Sequence, residues 1–222
     1  MNKIRTVYLI EDDEDLSEAL STLLSEENFH CTRYKTAEDF LDKLEAKDEL
    51  LKCQSNSVNP NCFLVDVRLP KMSGLSLFEK LTNRPGRKLS PIIFLTGHGD
   101  LEMAVGSLKK GAFDFLTKPY QTEHLIKTLT SAFSESDLRI KQQNFVTQFD
   151  AKIKNLTARE QELVGPIASG SSNKDLARKF EISIRTVELH RARIFEKLEL
   201  PSAIELAKII ERLDAFKNDL RN

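Results

Sequence analysis

Four short stretches of the chain place chemically capable side chains at the ends of apolar runs. Glu11, Asp12, Asp13 and Glu14 follow Ile4–Ile10, and Asp66 follows Cys62–Val65. Thr96 follows Ile92–Leu95, and Lys118-Pro119 follows Ala112–Leu116. Carboxylates thus come from two runs, a hydroxyl from a third and a lysine from a fourth. Carboxylates brought face to face repel, and burial raises their pKa values. A hard divalent cation relieves both penalties. Glu and Asp oxygens with waters suit Mg²⁺, which keeps positions open for phosphate oxygens. Asp66 is then a nucleophile toward a phosphoryl group, giving an acyl phosphate. Lys118 and the cation neutralise the phosphoryl oxygens, and Thr96 hydrogen-bonds one of them. An acidic run after a strand also favours a helix N-terminus through the dipole. That plainer role is assigned to Asp13, Glu14 and Asp15. Taken singly, Asp66 is a loop cap and Lys118 a surface lysine; four such features together, each closing an apolar run, outweigh those readings.

The elements that must position these groups are legible from periodicity. The runs ending at Ile10, Tyr34, Val65, Leu95 and Leu116 read as strands. Helical spacing appears between and after them: Leu16, Leu20, Leu23 and Leu24; Phe40, Leu41 and Leu44; Leu75, Phe78 and Leu81; Met103, Ala104 and Leu108; and from Gln121 onward. Strands apolar on both faces and separated by helices predict an α/β fold, a doubly wound five-stranded parallel sheet. In such sheets ligands gather at the carboxyl ends of the strands. Between Phe133 and Lys152 the periodicity weakens around Gln142-Gln143-Asn144. This stretch is expected to extend the preceding helix into a linker, with a short dimerising helix as the competing reading, since no strict heptad is present. The remainder predicts four helices. Thr157-Ala-Arg-Glu160 and Ser202-Ala-Ile-Glu205 are capping boxes, Ser172 opens another helix, and Ser183 is an N-cap. The expected divisions are 1–132, a helical linker at 133–152, and a small all-α domain at 153–222.

Composition sets the outer bounds. The chain has 222 residues, 40% hydrophobic and 30% charged, which excludes a wholly disordered protein. No apolar run approaches the ~18 residues of a membrane span. The N-terminus lacks the apolar core of a secretory signal, so a cytoplasmic protein is expected. Cys31, Cys53 and Cys62 match neither a zinc pattern nor a disulfide framework. Residues 1–152 carry 20 Lys and Arg against 23 Asp and Glu, and residues 153–222 carry 13 against 11. An acidic front half therefore precedes a mildly basic back half. No function is read in the polar loop 48–61, and His98, alone in its glycine-flanked loop, is assigned no metal.

The segments VYLIEDDE, FLVDVRLPKMSG, IIFLTGHGD and GAFDFLTKPY resemble the receiver domain of two-component response regulators, over about 130 residues. That resemblance implies a flavodoxin-like fold in which Asp66 accepts phosphate from a sensor histidine kinase. It implies Mg²⁺, with Mn²⁺ as the alternative, held by Glu11, Asp12, Asp66 and the backbone carbonyl of Arg68. Thr96 matches the switch hydroxyl, Lys118 the family lysine and Phe115 the switch aromatic. Lys118-Pro119 matches a cis peptide. Glu11 replaces the commoner Asp, and its extra methylene allows action through water. The resemblance further implies pairing of receivers through roughly residues 100–116 on phosphorylation.

The back half carries seven basic residues between Asn173 and Lys197 against four acidic ones, so charge alone decides nothing. A helix Asn173–Phe180, a turn Glu181-Ile182-Ser183, and a second helix with Ile184, Val187 and Ile194 as its apolar stripe form helix–turn–helix spacing. The stretch from LTAREQELV to RTVELHRARIFEKL resembles the LuxR-type helix–turn–helix of the FixJ/NarL subgroup, over about 60 residues. It implies DNA contacts from Lys174, Arg185, Thr186, Glu188, His190, Arg191, Arg193 and Lys197, with Glu188 the candidate for base reading from cytosine N4. Two departures stand out. Pro166 lies inside the first helix of this domain, where a kink is expected at ~3 kcal/mol in an ideal helix. Glu181 occupies the turn where relatives place Gly; a left-handed backbone there costs roughly 1–2 kcal/mol.

The reading is a response regulator rather than an enzyme. It is phosphorylated at Asp66, dimerises, and binds promoter DNA as an activator, with RNA polymerase as a further partner. A haloacid-dehalogenase type of phosphatase needs an acid two residues after the nucleophile, where this chain has Arg68. The competing readings are a phosphorylation-independent regulator whose acidic site is structural, and a receiver whose output binds protein.

Overall fold

The computed structural model describes residues 4–46, 59–82, 89–97, 106 and 108–221. The anticipated helix through Met103 and Ala104, most of the loop 48–61, Cys53 and His98 lie outside them. The chain divides into two compact units, 1–141 and 142–222.

In the first unit five parallel strands, β1 (Thr6–Ile10), β2 (His30–Tyr34), β3 (Asn61–Asp66), β4 (Ile92–Thr96) and β5 (Asp114–Thr117), form one sheet in the order β2-β1-β3-β4-β5. β3 and β4 are buried along their whole length, as central strands covered on both faces must be. Alternation divides their side chains between two cores. Ile10, Phe63, Val65, Ile92 and Phe94 meet α2 (Ala37–Ala46) and α3 (Gly74–Thr82). Val7, Leu9, Cys62, Leu64, Ile93, Leu95 and Leu116 meet α1 (Glu14–Glu26) and the start of α4 (Thr122–Lys154). Helix starts are set locally. Asp13 caps α1 by accepting from the Leu16 N–H at 3.1 Å, and Glu14 pairs with Lys35 at 2.8 Å, so these acids serve the helix terminus as expected. The expected strand start at Ile4 shifts to Thr6, leaving Ile4 60% exposed.

The second unit packs the end of α4 with α5 (Ala158–Ala168), α6 (Asn173–Lys179), α7 (Ile184–Leu198) and α8 (Ala203–Arg221) around Leu163, Ile167, Leu176, Val187, Ile194 and Leu206. The capping box at Thr157 is complete: its hydroxyl accepts from the Glu160 N–H at 3.3 Å, and its own N–H donates to Glu160 Oε2 at 2.8 Å. Ser172 and Ser183 cap α6 and α7. Ser202 accepts from the Glu205 N–H at 3.3 Å, while the Glu205 carboxylate turns to Lys208 at 2.9 Å. Pro166 falls in the last turn of α5, where few downstream bonds depend on it; the helix continues to Ala168.

Left-handed residues end several helices. Gly170, Glu181 and Glu199 have φ of 82°, 55° and 58°. The residue after each donates back five positions: Ser171 to Pro166, Ile182 to Ala177 and Leu200 to Phe195. These are Schellman closures. Two of the three place Glu where Gly is the unstrained choice, and Glu181 confirms the backbone anticipated for it. The expectation that Ile184 faces inward also fails. Ile184 is 47% exposed, because the first residue of α7 has no preceding turn to lie against; the buried stripe is Val187, Ile194 and Leu198.

Candidate functional site

The sheet delivers Glu11, Asp66, Thr96 and Lys118 to one edge. Glu11 and Asp12 follow β1 directly, and the Glu11 N–H is fixed to the Tyr34 carbonyl at 3.0 Å. Asp66 and Thr96 are the last residues of β3 and β4, and Lys118 follows β5. The Lys118 N–H donates to the Thr96 carbonyl at 2.7 Å, and Lys118-Pro119 is cis. From there Lys118 Nζ donates to Glu11 Oε2 at 2.7 Å and to Asp66 Oδ2 at 2.6 Å. The second Asp66 oxygen accepts from the Arg68 N–H at 3.0 Å. Glu11, Asp66 and Thr96 are buried, and Asp12 is exposed. The Thr96 hydroxyl donates to the Gly97 carbonyl at 2.9 Å. Phe115 lies half-buried against the α2–α3 side of the sheet, in register with Phe94. The Glu11 carboxylate thus lies directly on Lys118.

Gly74 holds the loop after β3 against the strand. Its N–H donates to the Val67 carbonyl at 3.0 Å, and a Cβ there would collide with the Asp66 carbonyl oxygen.

Three carboxylates and one lysine leave the cluster with surplus negative charge. Burial and the neighbouring Asp66 push Glu11 up to about 7 against the pull of Lys118. Burial opposes the charge on Lys118, but the two carboxylates override it and raise its pKa. Oxygens of Glu11, Asp12 and Asp66 lie within 4.8 Å of one another, the one group of metal-capable side chains among the described residues. Their donor set is all oxygen, and a divalent cation would relieve the repulsion that burial has built in.

The second unit presents the helix–turn–helix. Lys174, Arg185, Glu188 and Arg193 are exposed. Thr186 is half-buried, its hydroxyl 2.8 Å from that of Ser183. Arg191 lies over the Phe195 ring at 5.7 Å, and His190 is half-buried with Nδ1 lacking a hydrogen-bond partner. Lys197 Nζ is held by Glu160 Oε2 at 2.6 Å. Leu189, which the sequence did not single out, is 49% exposed between Arg185 and Arg193. Glu160 was legible only as half of a capping box, whereas folding makes it a buried acid. Burial disfavours its charge, yet Lys197 and both groups of Thr157 hold it down at about 2.

Comparison with known proteins agrees with both halves. Residues 7–130 match the response regulator receiver domain, and residues 154–210 match the bacterial regulatory proteins of the luxR family. The transcriptional regulatory protein TdiR of Thauera aromatica is 35% identical over 96% of this chain and 88% of its own. The transcriptional regulatory protein FixJ of Bradyrhizobium diazoefficiens is 31% identical over 93% of this chain and 94% of its own. A low-resolution structure of the response regulator StyR is similar with a TM-score of 0.75 and 30% identity, covering 95% of this chain and all of that one. Full-length FixJ from B. japonicum gives a TM-score of 0.54 and 30% identity over 95% of this chain and 97% of that one. Among the described residues no helix is long and apolar enough to cross a membrane. The five-stranded sheet with its acidic edge and the helix–turn–helix that follows therefore place this chain among the FixJ/NarL-type response regulators, two-component proteins that bind DNA and control transcription and are not enzymes.

Proposed function

We propose that Asp66 is the phosphoacceptor for a sensor histidine kinase. The observation that supports this most directly is the Lys118 ammonium held between Asp66 at 2.6 Å and Glu11 at 2.7 Å, at the carboxyl edge of the sheet. A carboxylate oxygen of Asp66 attacks phosphorus, the bond to the donor's imidazole nitrogen breaks, and an aspartyl phosphate forms. Glu11, Asp12, Asp66 and the Arg68 carbonyl are the proposed holders of Mg²⁺, with Mn²⁺ as the alternative. The ion supplies charge neutralisation for the transferred phosphoryl oxygens. Lys118 follows the phosphoryl group as its second positive partner, and Thr96 turns its hydroxyl from the Gly97 carbonyl toward a phosphoryl oxygen. Phe115 takes up the space that this turn releases. The added charge of about −1.5 to −2 then drives receivers to pair through the surface near residues 100–116, of which 106 and 108–116 are described.

In this reading residues 1–132 are the receiver, 133–152 the helical linker and 153–222 the output domain. The dimer presents two copies of α7 to promoter DNA about one helical turn apart, roughly 34–36 Å. Arg185, Arg191, Arg193 and Lys174 contact phosphates with Thr186 and His190, Lys197 adds its remaining donors, and Glu188 reads a base. Activation through RNA polymerase is the proposed outcome and the cytoplasm the proposed compartment, with no membrane partner.

Incubation with acetyl phosphate and Mg²⁺, followed by intact-mass measurement, tests the acceptor. One phosphoryl group should be gained, and none after Asp66→Asn or after chelation of the metal. Undiminished labelling of Asp66→Asn would refute the assignment and favour a regulator whose acidic site is structural.

A further inference from the structure

Arg159 stands on α5, outside the helix–turn–helix pair, yet it makes two contacts at the turn and a third along its own helix. Its Nη2 donates to the Phe180 carbonyl at 2.6 Å, its Nη1 pairs with Glu162 Oε2 at 2.8 Å, and its guanidinium lies over the Phe180 ring at 4.8 Å. Phe180 is the C-cap of α6, and the next residue is Glu181, left-handed at φ 55°. The last carbonyls of a helix lack intrahelical donors and carry partial negative charge, so a cation aimed at one both satisfies and neutralises it. Lys179 approaches the same ring at 5.5 Å. Glu162, three residues along the same helix, pairs with the other guanidinium nitrogen.

We propose that Arg159 is a positioning residue for DNA recognition: it clamps the strained turn and so fixes the direction in which α7 leaves it. The inference rests on the reading of α7 as the recognition helix. Glu181 in a left-handed conformation is poised to relax toward ordinary backbone angles. Such relaxation would swing the start of α7, where Ser183 and Arg185 stand. Hydrogen bonds to base edges are directional, whereas phosphate contacts tolerate small displacements. Losing the clamp therefore degrades sequence preference more than general affinity. A lysine reproduces the charge but not the planar fork that reaches a carbonyl and a carboxylate together.

The test uses the full chain, a duplex enriched by the wild-type protein from a random-sequence pool, and a mixed-sequence duplex. Helical content and melting temperature are recorded for every variant. Arg159→Ala is expected to weaken binding to the enriched duplex about tenfold, the scale of one charge-assisted hydrogen bond, and to the mixed duplex less than about twofold. The slope of log affinity against log salt stays unchanged, because no phosphate contact is lost. Arg159→Lys recovers only part of the preference. Adding Glu181→Gly to Arg159→Ala, which removes the strain, restores most of it, while Glu181→Gly alone changes little. Equal losses on both duplexes, full recovery by Arg159→Lys, or no rescue by Glu181→Gly would overturn the proposal. If Arg159→Ala unfolds, Arg159→Lys with and without Glu181→Gly carries the same comparison. Failure of the wild type to enrich any duplex would instead refute the reading of α7, a separate outcome.

Discussion

Glu11 in the receiver and Glu160 in the output domain are both 1% exposed, and each accepts a hydrogen bond from a lysine, at 2.7 and 2.6 Å. Their protonation runs in opposite directions, to about 7 for Glu11 and about 2 for Glu160. Burial disfavours the charge of both. The difference lies in the company. Glu11 shares Lys118 with Asp66, whose charge repels it, whereas Glu160 has Lys197 together with the N–H and hydroxyl of Thr157. One carboxylate is left short of positive charge, which suits the proposed uptake of a cation and a phosphoryl group. The other has its charge answered by Lys197 and Thr157 and links α5 to α7. In this chain the incompletely balanced buried carboxylate lies at the proposed site, and the balanced one lies in the scaffold of the output domain.

The largest effect that would break this comparison is expected from Glu160→Ala. It removes the reciprocal cap on Thr157 and the partner of Lys197, and should lower output-domain stability by about 2–3 kcal/mol. Urea unfolding followed through that domain checks it; a change below about 0.5 kcal/mol would make Glu160 dispensable and erase the contrast.

The next effect is pH-dependent and of opposite form in the two units. Folded Glu11 binds its proton more tightly than an unfolded glutamate at the ordinary 4.5, so receiver stability falls as pH rises from about 4.5 to about 7. Between pH 5 and 8 the loss should be about 2–2.5 kcal/mol, and saturating Mg²⁺ should flatten it. Glu160 does the reverse. Its contribution is complete above about 4.5 and is lost as pH falls toward 2. Calorimetry that resolves the two transitions should therefore show the receiver drifting between pH 5 and 8 while the output domain stays level. Parallel slopes would contradict the pairing of the two sites.

The smallest effect concerns backbone strain. Glu199→Gly removes the left-handed penalty at φ 58° but also a surface pair with Lys152 at 2.7 Å. The expected net gain is about 0.5 kcal/mol in thermal unfolding.

The sequence made the sheet and its acidic edge legible because each of β1, β3, β4 and β5 stops at, or one residue past, the end of its apolar run, and the residues there are carried to the same edge. It did not show that Lys118 binds both Glu11 and Asp66, since 107 residues separate Lys118 from Glu11 and only the register of the sheet brings them together. In the output domain the helix starts were readable from Thr157, Ser172 and Ser183, whose bonds lie within one turn. Side-chain duties were harder to read. Arg191 and Lys197 read as free basic residues on a helix, but Phe195 and Glu160 already engage them. Ile184 looked apolar and inward because periodicity takes no account of where a helix begins.

Gly74 carries no reactive group, yet its backbone touches that of Asp66 so closely that any side chain must displace the strand end. In a genetic screen for signal-blind alleles, substitutions at Gly74 should be recovered beside those at Asp66. A hit map drawn from sequence alone would then enrol an inert residue in the proposed phosphoacceptor site. Allele recovery here reports crowding as much as chemistry, and phosphoryl uptake by purified variants with melting temperatures measured alongside is what tells the two apart.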